Sequence, residues 1–171
     1  TGSSVYVRFK DPVPTLITTA GSIPNDPDLI AASGVERTGV IADGITELVL
    51  EAEVPGPCSV RFVLDDDDDP GNAPPPGAGV GTLTGLGGGV AQTSLTVPAV
   101  LLADGRFISH AIYSAPKDFI RTAADNPLAM RLIRIRSTYT DAAHAASDMS
   151  PRTLDLYRVP VLVVHGMWGS T

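Results

Sequence analysis

The stretch Ile45-Thr46-Glu47-Leu48-Val49-Leu50-Glu51-Ala52-Glu53-Val54 decides the fold class of this chain. From Glu47 onwards the even-numbered positions are apolar, and the odd-numbered positions are glutamate except for Val49. A period of two residues indicates a β-strand with one face on a core and the other in solvent. The Asp43-Gly44 pair just before it has the chemistry of a hairpin turn. The sequence therefore predicts a half-buried strand here.

Short strand-like segments recur along the chain, most of them with the same alternation. They are residues 4–10, 35–41, 59–64, 91–97, 107–113, 130–139 and 154–157. Turn-forming residues separate most of them, and helical periodicity is almost absent, apart from a possible short helix at 116–126. Many short strands with turns between them are typical of an antiparallel sandwich. We therefore predict an all-β fold, an antiparallel β-sandwich of about seven to eight strands.

The composition agrees with this fold class and excludes several functions. The 171 residues include 17 glycines and 15 prolines, which favours a loop-rich β protein over a helical one. A net charge of −7 argues against binding to nucleic acid, which needs clustered Lys and Arg. No apolar run reaches the roughly 18 residues of a membrane span. No leader precedes Thr1, so we expect a mature form or a fragment.

A long loop rich in Gly, Asp and Pro is predicted over residues 65–89, with a short packed piece possible at 80–83. It opens with five consecutive aspartates, of which Asp65, Asp67 and Asp69 are weak candidates for calcium ligands. Adjacent carboxylates repel one another, and the run lacks the spacing of a calcium-binding loop, so a solvated acidic loop is the favoured interpretation. The glycines that follow precede no Gly-Lys-Ser/Thr, and we predict no cofactor.

Single residues with reactive side chains are interpreted as structural. The single cysteine, Cys58, has no nominated base and is expected to be a packed thiol. The three histidines, His110, His144 and His165, lack metal-ligand spacing. His110 lies in the middle of a predicted strand and is expected to be a sheet residue whose hydrogen bonds are satisfied. Three arginines of one predicted strand are expected to point outward and pair with acidic residues, with a binding patch as the alternative; they are Arg131, Arg134 and Arg136.

An ordered set of short motifs resembles bacterial Ig-like repeats. In chain order these are Ala42-Asp43-Gly44, Val60-Arg61-Phe62, Asp104-Gly105 and Tyr113-Ser114-Ala115-Pro116. In the resembled domains an Ala-Asp-Gly turn leads one strand, and a second Asp-Gly leads a strand that ends in Tyr-x-Ala-Pro. The resemblance covers roughly residues 41–157 and implies an Ig-like sandwich. The segment 12–28 and the glycine-rich loop depart from a minimal domain of this kind.

The last residues resemble a different fold. Pro160-Val161-Leu162-Val163-Val164-His165-Gly166-Met167-Trp168-Gly169-Ser170 is similar to the opening strand and oxyanion loop of α/β-hydrolases. By that resemblance Met167 would supply the oxyanion N–H, and His165 and Gly166 would shape the loop. No Gly-x-Ser-x-Gly nucleophile motif occurs in the chain. The alternative interpretation is that 161–164 is the last sandwich strand and the rest is a tail.

These observations predict three segments: residues 1–34, a strand and an irregular Pro-rich segment packing on the sandwich; 35–158, the Ig-like sandwich; and 159–171, the start of a truncated hydrolase domain. The leading hypothesis is a non-catalytic accessory module of a secreted bacterial esterase or lipase, whose partner is its own C-terminal hydrolase domain. Extracellular or periplasmic location follows from the resemblance. The alternatives are a structural or adhesive surface repeat and, because aromatic residues are few, less favourably a carbohydrate-binding sandwich.

Overall fold

The computed structural model describes residues 5–11, 23–66, 79–118, 128–141 and 145–159. These residues form thirteen strands and one short helix. In chain order the elements are β1 (Tyr6–Asp11), α1 (Pro27–Ala32), β2 (Val35–Arg37), β3 (Gly39–Ala42), β4 (Glu47–Val54), β5 (Ser59–Asp66), β6 (Thr82–Gly85), β7 (Gly88–Gln92), β8 (Ser94–Pro98), β9 (Val100–Leu101), β10 (Phe107–Ser114), β11 (Met130–Thr140), β12 (Ala146–Asp148) and β13 (Arg152–Arg158).

The strands form two sheets that face each other. Sheet A has the order β2-β1-β4-β10-β6-β7, with β9 paired to the end of β10. Sheet B has the order β3-β13-β11-β5-β8, with β12 paired to β11. Every pair is antiparallel except β3–β13, which is parallel. The prediction of an all-β, sandwich-like fold is confirmed.

The core lies between the sheets and is built from alternate residues of each strand, as the period of two requires. Sheet A contributes Phe9 and Tyr113, whose rings meet edge to face with centroids 5.6 Å apart. Sheet B contributes residues such as Phe62 and Ile135, both with no exposed surface. Edge-to-face aromatic pairs add to the stabilisation that burial alone provides.

The opposite face of sheet A carries a second apolar layer. Five buried residues lie outside the main core cluster: Ile30, Val49, Leu102, Ile108 and Ile112. Helix α1 supplies the first of these; it is capped by Asp26, whose carboxylate accepts from the backbone N–H groups of Asp28 and Leu29. The Asp28 carboxylate in turn accepts from the Ala103 N–H at 2.8 Å. Helix α1 and the turn at residues 102–106 are therefore hydrogen-bonded to each other over this face of the sheet.

This layer corrects the prediction that β4 is half-buried. Val49 and Glu51, both on the face expected to be in solvent, have no exposed surface. The alternation is real, because the even-numbered residues do face the core. The pattern was misinterpreted because glutamates on one parity ordinarily indicate solvent, whereas here a helix and a turn cover them.

The number of strands is also larger than the seven or eight predicted, because some predicted strands are divided between the sheets. Residues 35–41 contribute to β2 in sheet A and β3 in sheet B, and residues 91–97 contribute to β7 and β8 in the same way. The C-terminal part of the loop predicted over 65–89 is strand instead, since it contains β6 and the start of β7. Val80 and Leu83 are fully buried there.

Close packing around Gly81 explains how this glycine-rich segment is held. The Tyr113 hydroxyl donates to the Val80 carbonyl at 3.0 Å. Gly81 has a φ of +85°, and a Cβ atom at this position would lie 2.5 Å from the Ser114 carbonyl oxygen. Only glycine combines this backbone conformation with such a close approach.

Two predictions concern residues at the edge of the described part. The possible helix at 116–126 lies almost wholly outside it, since only residues 116–118 of that range are described. The domain boundary at residue 34 stays a prediction, although β1 is hydrogen-bonded between β2 and β4 inside sheet A. Within the described ranges, no helix has the length and apolar character needed to cross a bilayer.

Candidate functional site

A buried ionic cluster lies on the outer face of sheet A. Three adjacent strands place Arg8, Glu51 and His110 in one row, because Glu51 is the register partner of both others. Lys10 lies on the same face of β1, two residues beyond Arg8. The cluster forms because β1 presents cations on the face where β4 presents carboxylates.

The Glu51 carboxylate is the centre of the cluster. Its Oε1 accepts from Arg8 Nε at 2.8 Å and from a second guanidinium nitrogen of the same residue. Its Oε2 accepts from Lys10 Nζ at 3.1 Å and lies 3.1 Å from His110 Nε2. Both oxygens are therefore saturated, as a fully buried carboxylate requires.

Lys10 extends the cluster to the helix. Its ammonium group donates to the Ile30 carbonyl at 2.7 Å and to the Ala31 carbonyl at 3.2 Å. These carbonyls belong to the last turn of α1, where backbone acceptors lack partners within the helix and a positive charge is favourable. One side chain thus connects β1, β4 and the helical layer.

The neighbours of Glu51 favour its ionised form. Burial by itself would raise the pKa of Glu51, but the hydrogen bond from His110 and the charges of Lys10 and Arg8 outweigh it and lower that pKa to about 2. Burial lowers the pKa of Lys10, and the neighbouring Glu51 opposes that shift. The carboxylate is therefore ionised at any pH at which the protein would ordinarily work.

A second ionic group continues along the same face. Arg106 donates from one nitrogen to Glu53 at 3.2 Å and from Nε to Asp104 at 2.7 Å. Tyr6 lies beside Glu53 in the register of β1 and β4. Burial, a hydrogen bond to Glu53 and the charge of Glu51 raise the pKa of Tyr6 to about 12. This group orders the turn before β10.

The Glu51 cluster is suited to a structural role and not to general-base catalysis. A general base needs access to substrate and a pKa near the working pH. Glu51 has neither, since it has no exposed surface and its pKa is near 2. The cluster holds the helix and three strands together. Elsewhere in the described ranges, no group of three or more His, Cys, Asp or Glu side chains is arranged to hold a metal ion.

A depression of about 540 Å³ on the outer face of sheet B is the second candidate. Arg61, Arg136, Thr138 and Asp148 are among its lining residues. The Thr138 hydroxyl donates to Asp148 at 3.0 Å, and Arg61 Nε donates to the Ser94 hydroxyl at 3.2 Å. Within the lining, Thr138 and Asp148 are therefore bonded to each other, and Arg61 is held by Ser94 beside it.

The oxyanion residues predicted from the resemblance, His165, Gly166 and Met167, lie outside the described residues. His144 also lies outside them. Of the weak calcium candidates, Asp67 and Asp69 also lie outside. Asp65 belongs to β5, where it is the register partner of Arg134. The oxyanion and calcium assignments therefore stay predictions.

Three interpretations of single residues can be compared with the structure. His110 is a buried, bonded strand residue, as predicted. Cys58 is half-buried against the core, and burial raises the pKa of its thiol, which confirms a packed cysteine. Arg131 was expected to point outward, and this is wrong. It is buried because it has the same parity as the core residues Ile133 and Ile135.

The residues that sequence reasoning missed are Tyr6, Arg8, Lys10 and Glu51. The signal was present, since three polar residues at alternate positions of β1 match the glutamates at alternate positions of β4. It becomes informative only when these two strands are paired, and they are separated by about 40 residues.

Comparison with protein-family models, with curated proteins and with solved structures finds no match to this chain.

Proposed function

We propose that this chain is an Ig-like accessory module that precedes an α/β-hydrolase domain in a secreted bacterial esterase or lipase. The proposal rests on one observation: in the sequence, the last alternating strand is followed at once by a continuous apolar run and a His-Gly-Met-Trp motif, within residues 160–170. The module itself would position and stabilise the catalytic domain without taking part in bond cleavage. Secretion and bacterial origin belong to the proposal and follow from the same resemblance.

The last strand supports this division of the chain. In β13, Leu154 and Leu156 are fully buried, and the strand is paired on both sides, with β11 and β3. The last strand of the sandwich, which has hydrogen-bonded neighbours on both sides, therefore ends at Arg158. The apolar run Val161-Leu162-Val163-Val164 that follows is continuous, which is typical of strands covered on both faces.

The geometry of the Asp-Gly turns supports the Ig-like part of the proposal. The Asp43 carboxylate accepts from the N–H groups of Ile45 and Thr46 and from the Thr46 hydroxyl, and the next residue, Gly44, has a φ of +75°. The Asp104 carboxylate accepts from the Arg106 N–H, and Gly105 has a φ of +88°. The two turns lead into the paired strands β4 and β10, which matches the motif order of the resembled domains.

The described chemistry favours an accessory role over a catalytic one. The charged residues with the greatest burial, Glu51 and Lys10, bond to each other and to helix α1. His110 is held in the same cluster. A nucleophile with a positioned base would be needed for ester hydrolysis, and these groups serve packing instead.

The coding sequence that continues past Thr171 tests the proposal. We expect it to encode a Gly-x-Ser-x-Gly segment at the end of a strand, followed by an acidic residue and a histidine. A further cycle of Ala-Asp-Gly and Tyr-x-Ala-Pro motifs would instead identify a structural or adhesive repeat. That outcome, or a frame that ends without a nucleophile, would refute the hydrolase proposal.

A further inference from the structure

A row of exposed apolar side chains crosses the outer face of sheet B. Met130 is the register partner of Tyr157, and Tyr157 is the register partner of Ile41. All three point away from the core, since the alternate residues Leu154 and Leu156 point into it. Their exposed fractions are 42%, 44% and 45%. Three neighbouring strands therefore present one apolar row to solvent.

A second row continues the first toward the end of β13. The Arg158 N–H donates to the Ala129 carbonyl at 3.0 Å, so the ladder extends beyond the first residue of β11. Leu128 and Val159 directly flank this hydrogen-bonded pair of residues. Each of these two residues is 42% exposed. We call the five residues the β13 patch: Ile41, Leu128, Met130, Tyr157 and Val159.

The patch is held in a fixed shape. A Cβ atom on Gly39 would lie 2.7 Å from Cε2 of Tyr157, so the tyrosine ring rests directly on the backbone of β3. The Tyr157 hydroxyl lies 3.4 Å from an Asp155 carboxylate oxygen, at the border of the patch. A rigid aromatic side chain with a polar tip loses little conformational entropy on binding, and such residues are enriched at interfaces.

The chain itself indicates what covers the patch. Val159 is a patch residue, and the next residues are the apolar segment Pro160-Val161-Leu162-Val163-Val164. A domain that begins there has no free linker between itself and the patch. Joining two surfaces so closely makes their association intramolecular, so a modest apolar area is enough for stable contact.

We propose that the β13 patch is the surface on which the hydrolase domain begun by residues 160–171 docks. This inference rests on the proposed function and names the partner surface for it. Docking here would fix the orientation of the two domains through β3, β11 and β13. Exposed apolar groups that are grouped in this way mark interaction sites more often than apolar groups that are scattered singly.

Cysteine labelling tests the contact. In a Cys58→Ala background, Ile41→Cys reports on the patch, and Val90→Cys, at a 78% exposed position of β7 in the other sheet, is the control. Each variant is prepared both as this 171-residue chain and as the longer protein that includes the downstream domain. We expect a maleimide to react with Ile41→Cys at least tenfold more slowly in the longer protein and with Val90→Cys at equal rates in both.

The outcomes separate this inference from the proposed function. Equal labelling of Ile41→Cys in both proteins, together with ester hydrolysis by the longer one, would overturn the docking surface and leave the proposed function intact. A longer protein without a hydrolase domain would overturn both. Protection of Ile41→Cys in the 171-residue chain with a dimer in sedimentation would assign the patch to a second copy and overturn docking.

Discussion

The Lys10 ammonium group lies 3.1 Å from the Glu51 carboxylate although the two side chains are only 5% and 0% exposed. Burying an ion pair has a large desolvation cost, which is offset only when every remaining donor and acceptor is bonded. Here the additional partners are Arg8, His110 and the carbonyls of α1. The pair therefore depends on four elements being in place at once and makes their association cooperative.

Replacing Glu51 with glutamine should destabilise the protein by about 3–5 kcal/mol, because the buried Lys10 and the partly buried Arg8 would lose their counter-charge. Unfolding in urea, followed by circular dichroism, measures the effect. The matched control is Glu47→Gln on the same strand, where the carboxylate is half-buried and has a weak contact of 3.4 Å with Ser114. A loss below about 1 kcal/mol for Glu51→Gln would show that the cluster contributes little.

Acid should weaken the fold through the same carboxylate. The pKa of Glu51 is lowered from 4.5 to about 2 in the folded state, so the unfolded chain binds more protons between these values. Its stabilisation is complete above about pH 4.5 and is lost as the pH falls toward 2, by about 3 kcal/mol in total. We expect the unfolding free energy of Glu51→Gln to depend less on pH over this range than that of the wild type. Parallel pH profiles for the two proteins would contradict the assignment.

Alternation was enough to predict the long strands from the sequence. Residues 107–113 and 154–157 became β10 and β13, with Leu154 and Leu156 in the core as their parity indicates. Parity also places Arg131 with Ile133 and Ile135, but the expectation that arginine faces solvent prevailed and was wrong. Residue type is a weaker guide than periodicity inside a strand of this length.

Lys10→Met tests whether the ammonium group holds the helix. Methionine keeps most of the apolar length, so the lost interactions are the ion pair with Glu51 and the hydrogen bonds to Ile30 and Ala31. We expect faster hydrogen exchange over residues 23–34 and a loss of about 1–3 kcal/mol of stability. The control is Arg37→Met, which removes a pair with Asp11 whose partners are 48% and 43% exposed and should cost less than about 1 kcal/mol. Unchanged exchange in Lys10→Met would refute the helix anchor.

Gly81→Ala and Gly105→Ala separate steric crowding from backbone strain. Both glycines have positive φ, +85° and +88°, so each alanine should cost about 1–2 kcal/mol from strain. Only at Gly81 would the Cβ atom also meet backbone, 2.5 Å from the Ser114 carbonyl oxygen, whereas nothing lies within 4 Å of a Cβ on Gly105. Thermal unfolding should therefore show a clearly larger loss for Gly81→Ala. Equal losses would show that the segment before β6 relaxes freely.

The parts that the sequence did not predict depend on contacts between distant segments. Helix α1 is six residues long and has too few periods to be recognised, yet Ile30 is buried on sheet A. The Glu51 cluster requires β1 to pair with β4. Strand β7, Gly-Gly-Val-Ala-Gln, has two glycines and only one large apolar residue, so it has no alternation to detect. Such elements are determined by their neighbours, which a pattern within a single segment does not contain.

Ester hydrolysis by the longer protein is the most direct measurement of the proposed role. The 171-residue chain, the protein extended through its downstream domain and a Ser→Ala variant of the expected Gly-x-Ser-x-Gly motif are compared on a short-chain p-nitrophenyl ester. We predict turnover by the extended protein alone, with the first chain and the serine variant both at the uncatalysed rate. Turnover by the 171-residue chain itself, or none by the extended protein, would contradict an accessory module joined to a hydrolase.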